Sequence, residues 1–277
     1  MTMPRRLVMV RHGQSEANVN QKKTIALPGH IKNALNARPD WEHRLTPVGV
    51  EQGRVAGDWI RENIGSIASF DVVYHSPFIR THETAIAIAG NEEGIILTPE
   101  DRIIERDWGL FGKMSKKQQA IHYPKTVAEK KINPLYARFD GGESMMDVYG
   151  RIRDMDGTLH REYPEGTVLM VTHGDYMNAR RYAIERMYPE EWMAMDADSE
   201  MAFHNCSVLE YSRVNPDDPL DVRDKLQWRR FVHTGKPEKS PYDGEWVQLT
   251  RRRGMSVKQS IARVAQHKRL IPDSYFE

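Results

Sequence analysis

Leu7-Val8-Met9-Val10 is an unbroken apolar run, which predicts a strand covered on both faces, as in a parallel sheet. The stretches Phe70 to Tyr74 and Thr167 to Val171 read the same way, and Ser207 to Tyr211 reads as a last strand. Each of the first three stops at polar, reactive residues: Arg11-His12-Gly13, His75-Ser76-Pro77 and Thr172-His173-Gly174. Helical periodicity fills the intervals. Thr46-Pro47 predicts an N-cap with proline at the first helical position, and Val48, Val55 and Trp59 then fall on one face of a helix reaching Asn63. Ser144, with Asp147 three residues on, predicts a capping box. Met145, Val148, Ile152, Met155 and Leu159 follow at spacings of three and four, a stripe that belongs in a core. Further helices are predicted from Arg80 to Ala89 and from Tyr176 to Arg186. The order strand, helix, strand, helix, strand makes an α/β fold. In an open α/β sheet ligands bind beyond the carboxyl ends of the strands, where the three polar clusters would converge.

Two stretches break this rhythm. Residues 20–44 are polar and irregular, with Lys22, Lys23, His30, Lys32 and Arg38, and are longer than a routine loop. They are expected to form either a lid that greets an anionic substrate or a disordered insert. After Arg213 the apolar periodicity fades, so residues 213–277 are expected to be a C-terminal extension carrying one helix from Ser256 to His267, with 1–212 as the main domain. The run Arg251-Arg252-Arg253 reads as a solvated face. No internal repeat is present.

Composition narrows the classes. With 39 % hydrophobic and 29 % charged residues the chain is neither disordered nor collagen-like. The net charge of +1 gives no case for a nucleic-acid partner or a membrane surface. Cys206 is the single cysteine and cannot form an internal disulfide, and no apolar run approaches the ~18 residues of a membrane span, so a cytoplasmic protein is expected. Among eleven histidines the nearest thing to a metal-ligand pair is His173-Gly174-Asp175, but no H-E-x-x-H or C-x-x-C spacing supports it, and no metal is expected.

The strand ends carry the chemistry. A neutral imidazole at His12 can attack phosphorus while the Arg11 guanidinium binds the equatorial oxygens as a fork. Arg80 lies at the start of a predicted helix, where a cation and the helix N-terminus both face an anion. His173 precedes Gly174, which permits close backbone approach to a ligand. Phosphoryl transfer needs positioning, charge stabilisation and a proton donor for the leaving oxygen. Glu105 is the candidate donor, since its apolar neighbours Ile103 and Ile104 would raise its pKa and Gly109 would bring the backbone close. Glu143 reads either as a charge at a helix start or as a site residue.

Together, Arg11-His12-Gly13 with Ser15 and Asn18, Ser76-Pro77-Phe78-Ile79-Arg80-Thr81 with Thr84-Ala85, Glu105 with Gly109, and Thr172-His173-Gly174 resemble the histidine phosphatase superfamily, the phosphoglycerate mutase-like proteins, over residues 5–212. The resemblance implies a three-layer α/β/α sandwich with a mainly parallel sheet. It implies a phosphohistidine on His12, a phosphate pocket of Arg11, Arg80 and His173 assisted by Asn18 and Gly174, and Glu105 as acid then base, with no metal and no cofactor. The insert and the tail depart from the pattern and put substrate identity, not chemistry, in question. In this family the phosphoryl acceptor is water or a bound phosphoglycerate. The arginine- and proline-rich insertion of glycolytic mutases is absent, and Gly141-Gly142-Glu143-Ser144 is similar to phosphatase-like branches, which favours hydrolysis of a small phosphorylated substrate. The alternatives are a phosphoglycerate mutase-type phosphotransferase and a phospho-ligand binding module without turnover. The tail could cover a sheet edge, pack in a homo-oligomer interface or hang free.

Overall fold

A computed structural model of the chain describes residues 2–22, 25–251, 254–271 and 275. Lys23, Arg252 and Arg253 of the basic stretches lie outside the described residues. In chain order the elements are β1 (Arg6–Arg11), α1 (Glu16–Lys22), α2 (Gly29–Ala37), α3 (Pro47–Asn63), β2 (Val72–His75), α4 (Ile79–Ala89), β3 (Leu97–Pro99), α5 (Lys116–His122) and α6 (Pro124–Ile132). There follow α7 (Met145–Glu162), β4 (Thr167–Thr172), α8 (Gly174–Glu185), α9 (Pro189–Ala197), β5 (Ser207–Ser212), β6 (Val214–Asn215), β7 (Asp218–Val222), β8 (Trp228–His233), β9 (Val247–Gln248) and α10 (Val257–Ala265).

The apolar runs become the centre of a seven-stranded sheet of order β3-β2-β4-β1-β5-β8-β9. β1 pairs in parallel with β4, β4 with β2 and β2 with β3, whereas β5 lies antiparallel to both β1 and β8, and β8 antiparallel to β9. Five of the seven strands therefore run in one direction. Side chains alternate across a strand, so each run feeds two cores. Leu7, Met9, Val168 and Met170 pack with Val148, Ile152, Met155 and Leu159 of α7 and Tyr176 and Met177 of α8. Val8, Val10, Leu169 and Val171 pack with Ala56 and Ile60 of α3 and Ala85 and Ile88 of α4. That is the three-layer α/β/α sandwich, with helices on both faces of a mainly parallel sheet.

Local chemistry explains the helix starts. Thr46 Oγ1 accepts the Gly49 N–H at 3.1 Å, and Pro47 opens α3. Ser144 and Asp147 form the reciprocal capping box of α7. The buried face of α3 differs from expectation: Val48 is exposed, and Gly49, Gly53, Ala56, Gly57 and Ile60 face inward. Small residues win there because α3 presses on its neighbours. A Cβ on Gly49 would stand 2.1 Å from the Gln14 carbonyl oxygen, and one on Gly53 2.7 Å from the Ala87 Cβ.

The other irregular readings also change. The 20–44 stretch carries the end of α1, all of α2 and a 3-10 turn at Asp40–Glu42, with Leu35 buried. Ser207–Ser212 is not the last strand, because β8 pairs with it along its whole length and β9 pairs with β8. The charged centre of β8 hides it from a hydrophobicity pattern. Arg229 pairs with Glu185 at 2.6 Å and Arg230 with Glu210 at 2.7 Å, both carboxylates buried. Paired in this way, arginines can occupy positions that otherwise demand apolar residues. The helix expected from Ser256 is present as α10, with a Ser256–Gln259 capping box. Among the described residues no helix is long and apolar enough to cross a membrane.

Candidate active site

The strand ends meet as the topology requires. The His12 N–H donates to the Thr172 carbonyl at 2.9 Å and the Ser76 N–H to the Val171 carbonyl at 3.0 Å. His12 Nδ1 lies 2.7 Å from the Gly13 carbonyl oxygen. A carbonyl only accepts, so Nδ1 holds the proton and Nε2 keeps its lone pair. The ring is 3 % exposed, and burial together with the charges of Arg80 and Arg11 holds its pKa well below the ordinary imidazole range. It is neutral at neutral pH.

His173 stands edge-on to His12, with ring centroids 5.2 Å apart and planes at 61°. Its Nε2 lies 3.0 Å from Ser76 Oγ, Phe78 packs on it at 5.1 Å, and its Nδ1 is buried without a partner. Burial and the nearby charge of Arg80 hold this imidazole neutral as well. Arg11 donates to the Phe203 carbonyl, while its Nε is buried without a partner. α8 begins beside it: a Cβ on Gly174 would stand 3.5 Å from Arg11 Nε.

Arg80 is in place on α4 and is already occupied. It donates to the Asp40 carbonyl at 2.7 Å and to Asp40 Oδ2 at 3.0 Å, and its guanidinium lies 4.8 Å above the Phe78 ring. Asp40 belongs to the 20–44 insert, so the insert reaches the site itself. Asn18 is held at one side: its Oδ1 accepts from the Ser15 N–H at 3.1 Å and from Asn205 Nδ2 at 3.1 Å, and Asn205 also donates to the His12 carbonyl at 2.9 Å.

Glu105 comes in from the opposite side. Its Oε1 accepts the Arg106 N–H at 3.0 Å and the Asp175 N–H, in the first turn of α8, at 3.2 Å. Burial, and then the charge of Asp175, push its pKa up to about 7, although the Arg106 N–H and the nearby Arg80 and Arg11 pull the other way. The carboxyl is thus available both as acid and as base near neutrality. Glu105 forms no ion pair with Arg102, which pairs instead with Glu100 and Asp154.

Glu143 lies behind the acid and not in the pocket. It forms a two-pronged pair with Arg151, both contacts at 2.9 Å, and accepts the Asp107 N–H at 2.9 Å. Arg151 in turn donates to the carbonyls of Arg102 at 2.8 Å and Ile104 at 3.2 Å. The pair staples the acid loop to α7. Gly109 completes the loop at φ 51°, where a Cβ would stand 2.2 Å from the Asp140 carbonyl oxygen.

Arg11, His12, Asn18, Arg80, Glu105, His173 and Gly174 are therefore brought together beyond the ends of β1, β2 and β4. Thr84, named in the motif without a role, accepts the Gly13 N–H on its Oγ1 at 3.0 Å, while sequence reasoning missed Asn205 and Asp40. Arg151 belongs to the segment that follows Gly-Gly-Glu-Ser, eight residues after Glu143, and only its partners were left unread. Asn205 and Asp40 had no local signal, since their partners are 193 and 40 residues away.

Over 222 residues the chain is 28 % identical to phosphoserine phosphatase 1 of Hydrogenobacter thermophilus, covering 80 % of this chain and 91 % of that protein. It is 28 % identical over 197 residues to a 2,3-bisphosphoglycerate-dependent phosphoglycerate mutase of Rhizobium etli, covering 69 % and 85 %. In fold it is similar to a mycobacterial glucosyl-3-phosphoglycerate phosphatase solved with VO3, at a TM-score of 0.57 and 24 % identity over 75 % of this chain and 92 % of that one. Residues 7–217 match the family model of the histidine phosphatase superfamily (branch 1), and the chain belongs to that superfamily.

Proposed function

We propose that the protein is a phosphomonoester hydrolase that works without a metal, through a phosphohistidine on His12. The observation that carries this reading is the fixed tautomer of His12: with Nδ1 donating to the Gly13 carbonyl, the Nε2 lone pair is left to attack. The attack forms a P–N bond and breaks the P–O bond to the alcohol, whose oxygen takes the proton of Glu105. Arg11, Arg80 and His173 hold the equatorial oxygens as charge grows on them, with Asn18 assisting. Water then attacks phosphorus, gives its proton to Glu105 as the P–N bond breaks, and inorganic phosphate leaves. A carboxyl poised near 7 serves both halves of that cycle.

Hydrolysis is favoured over transfer to phosphoglycerate by the similarity to a phosphatase over most of both chains and by the Gly-Gly-Glu-Ser segment. The test is a time course with an aryl phosphate in the presence of a chelator, comparing wild type with His12→Ala, each checked for folding by circular dichroism. Turnover that needs His12 and survives the chelator is expected. Ample turnover in folded His12→Ala would overturn the reading. A folded but inert wild type that exchanges phosphoryl groups between monophosphoglycerates would replace it with the mutase, and phosphate binding without turnover would replace it with a binding module.

A further inference from the structure

α10 sits on the molecule the wrong way round for a surface helix. At about 100° per residue, Val257, Ile261 and Val264 lie within roughly 60° of one another on one face, and Arg263 falls roughly 140° from the middle of that face. An ordinary amphipathic helix turns such an apolar stripe toward the core. Here the inward residue is Arg263, whose guanidinium pairs with Glu190 at the start of α9 at 2.6 Å and lies 3.6 Å over the Tyr188 ring. Clamped by its polar side, the helix turns the stripe outward, and Val257, Ile261 and Val264 are 76 %, 65 % and 69 % exposed. Leu270 and Ile271, just beyond the helix, are exposed as well. Ser256 and Gln259 cap α10 reciprocally, so the helix has its own local start signal and does not depend on burying the stripe. Apolar side chains gathered on one exposed face in this way mark a surface that something covers.

Charge identifies the cover. From Trp246 to Pro272 the chain carries seven lysines and arginines and no acidic residue. Glu190 neutralises Arg263, whereas Lys258 on the helix and Lys268 after it stand exposed. A second copy of this chain fits poorly, because a two-fold interface sets the same surface against itself and would bring two acid-free basic stretches together. Nucleic acid would use the cations and leave the stripe in water. An apolar stripe flanked by lysines and arginines suits the boundary between the headgroups and acyl chains of an anionic membrane. We propose that α10 binds the surface of an anionic phospholipid bilayer, with Val257, Ile261 and Val264 entering that boundary and Lys258 and Lys268 meeting the lipid anions. The nine-residue helix is too short to span a bilayer, so the attachment is peripheral and reversible. The net charge of +1 hides the patch, because the compensating acids lie elsewhere in the chain. This inference stands apart from the catalytic reading above and does not depend on it.

The test mixes the full chain with extruded vesicles and sediments them. On phosphatidylcholine containing about 30 % phosphatidylserine the protein is expected to cosediment. On phosphatidylcholine alone it should bind at least about tenfold more weakly, since each lysine or arginine near an anionic surface is worth roughly fivefold. Sodium chloride at about 0.5 M should release it by screening. Ile261→Asp sets a carboxylate in the middle of the stripe and should lower vesicle affinity by more than about tenfold. Its melting temperature should not change, because the side chain already lies in water. Lys258→Gln combined with Lys268→Gln should cost about 25-fold. No binding to the anionic vesicles, equal binding to both kinds, or undiminished binding of folded Ile261→Asp would overturn the proposal. A lipid-free dimer broken by Ile261→Asp, in place of vesicle binding, would overturn it too and give the stripe to a second copy.

Discussion

Replacing Glu105 by glutamine should make the enzyme worse and the fold stronger, and the second effect has a pH signature. In the unfolded chain this carboxyl titrates near its ordinary value of 4.5, and in the native cleft near 7. Between those values the native state holds a proton that the unfolded chain has released, so stability is lost as pH rises through the window, and the whole penalty is present above the folded value. At ~1.36 kcal/mol per pH unit the rise from 4.5 to about 7 amounts to ~3 kcal/mol at most, since the cleft opens to solvent. Glutamine keeps the shape and cannot ionise. Urea unfolding of both proteins from pH 5 to pH 8 should show the variant gaining on wild type by up to ~2.5 kcal/mol across that range. In parallel, turnover of an alkyl phosphate should fall by ~10²–10⁴, the range for a lost general acid, while an aryl phosphate with a good leaving group should suffer far less. Stability curves that run parallel within ~0.5 kcal/mol, which is smaller than the expected linkage, or equal losses on both esters, would refute the assignment of Glu105 as a buried, protonated acid.

The insert should act as a weak internal competitor: in Asp40→Asn the Arg80 fork loses an anionic partner, and inorganic phosphate or vanadate should inhibit up to ~5-fold more tightly, the pair being half in solvent and so worth no more than ~1 kcal/mol. Unchanged inhibition would mean that Asp40 does not hold the fork in solution. Gly109→Ala should lower stability by more than ~1 kcal/mol, read from the melting temperature, because its positive φ and the nearby Asp140 carbonyl leave no place for a Cβ. The Cys206 thiol, pushed up to about 12 by burial, should resist a disulfide reagent at pH 8 until the chain is unfolded in urea; fast native labelling would contradict its burial.

What the sequence displayed was whatever depends on neighbours along the chain. Apolar runs long enough for only one strand, Thr46-Pro47 and the Ser144–Asp147 box all act within a turn or two, and they placed β1, β2, β4, α3 and α7 within a few residues. The candidate site was legible for the same reason, because His12, Ser76 and His173 each follow a strand end directly. Contacts made across the fold left no such trace. β8 reads as polar until Glu185 and Glu210 are seen beside its arginines, and the inward face of α3 is set by close packing of glycines and not by its valines. Asp40 meets Arg80 only because the insert folds back over α4. α5 and α6 were missed because their exposed, lysine-rich faces show little apolar stripe, with no fully buried residue in either helix.

The central claim is that a covalent P–N bond forms on His12, and trapping it is the most direct test. Excess enzyme mixed with an aryl phosphate, quenched in alkali to preserve the acid-labile bond, and digested for mass spectrometry should show one added phosphoryl group on the peptide containing His12. The same treatment of His12→Ala should show none. Turnover by wild type with no phosphoryl group on that peptide, or with the group on His173 instead, would contradict the account.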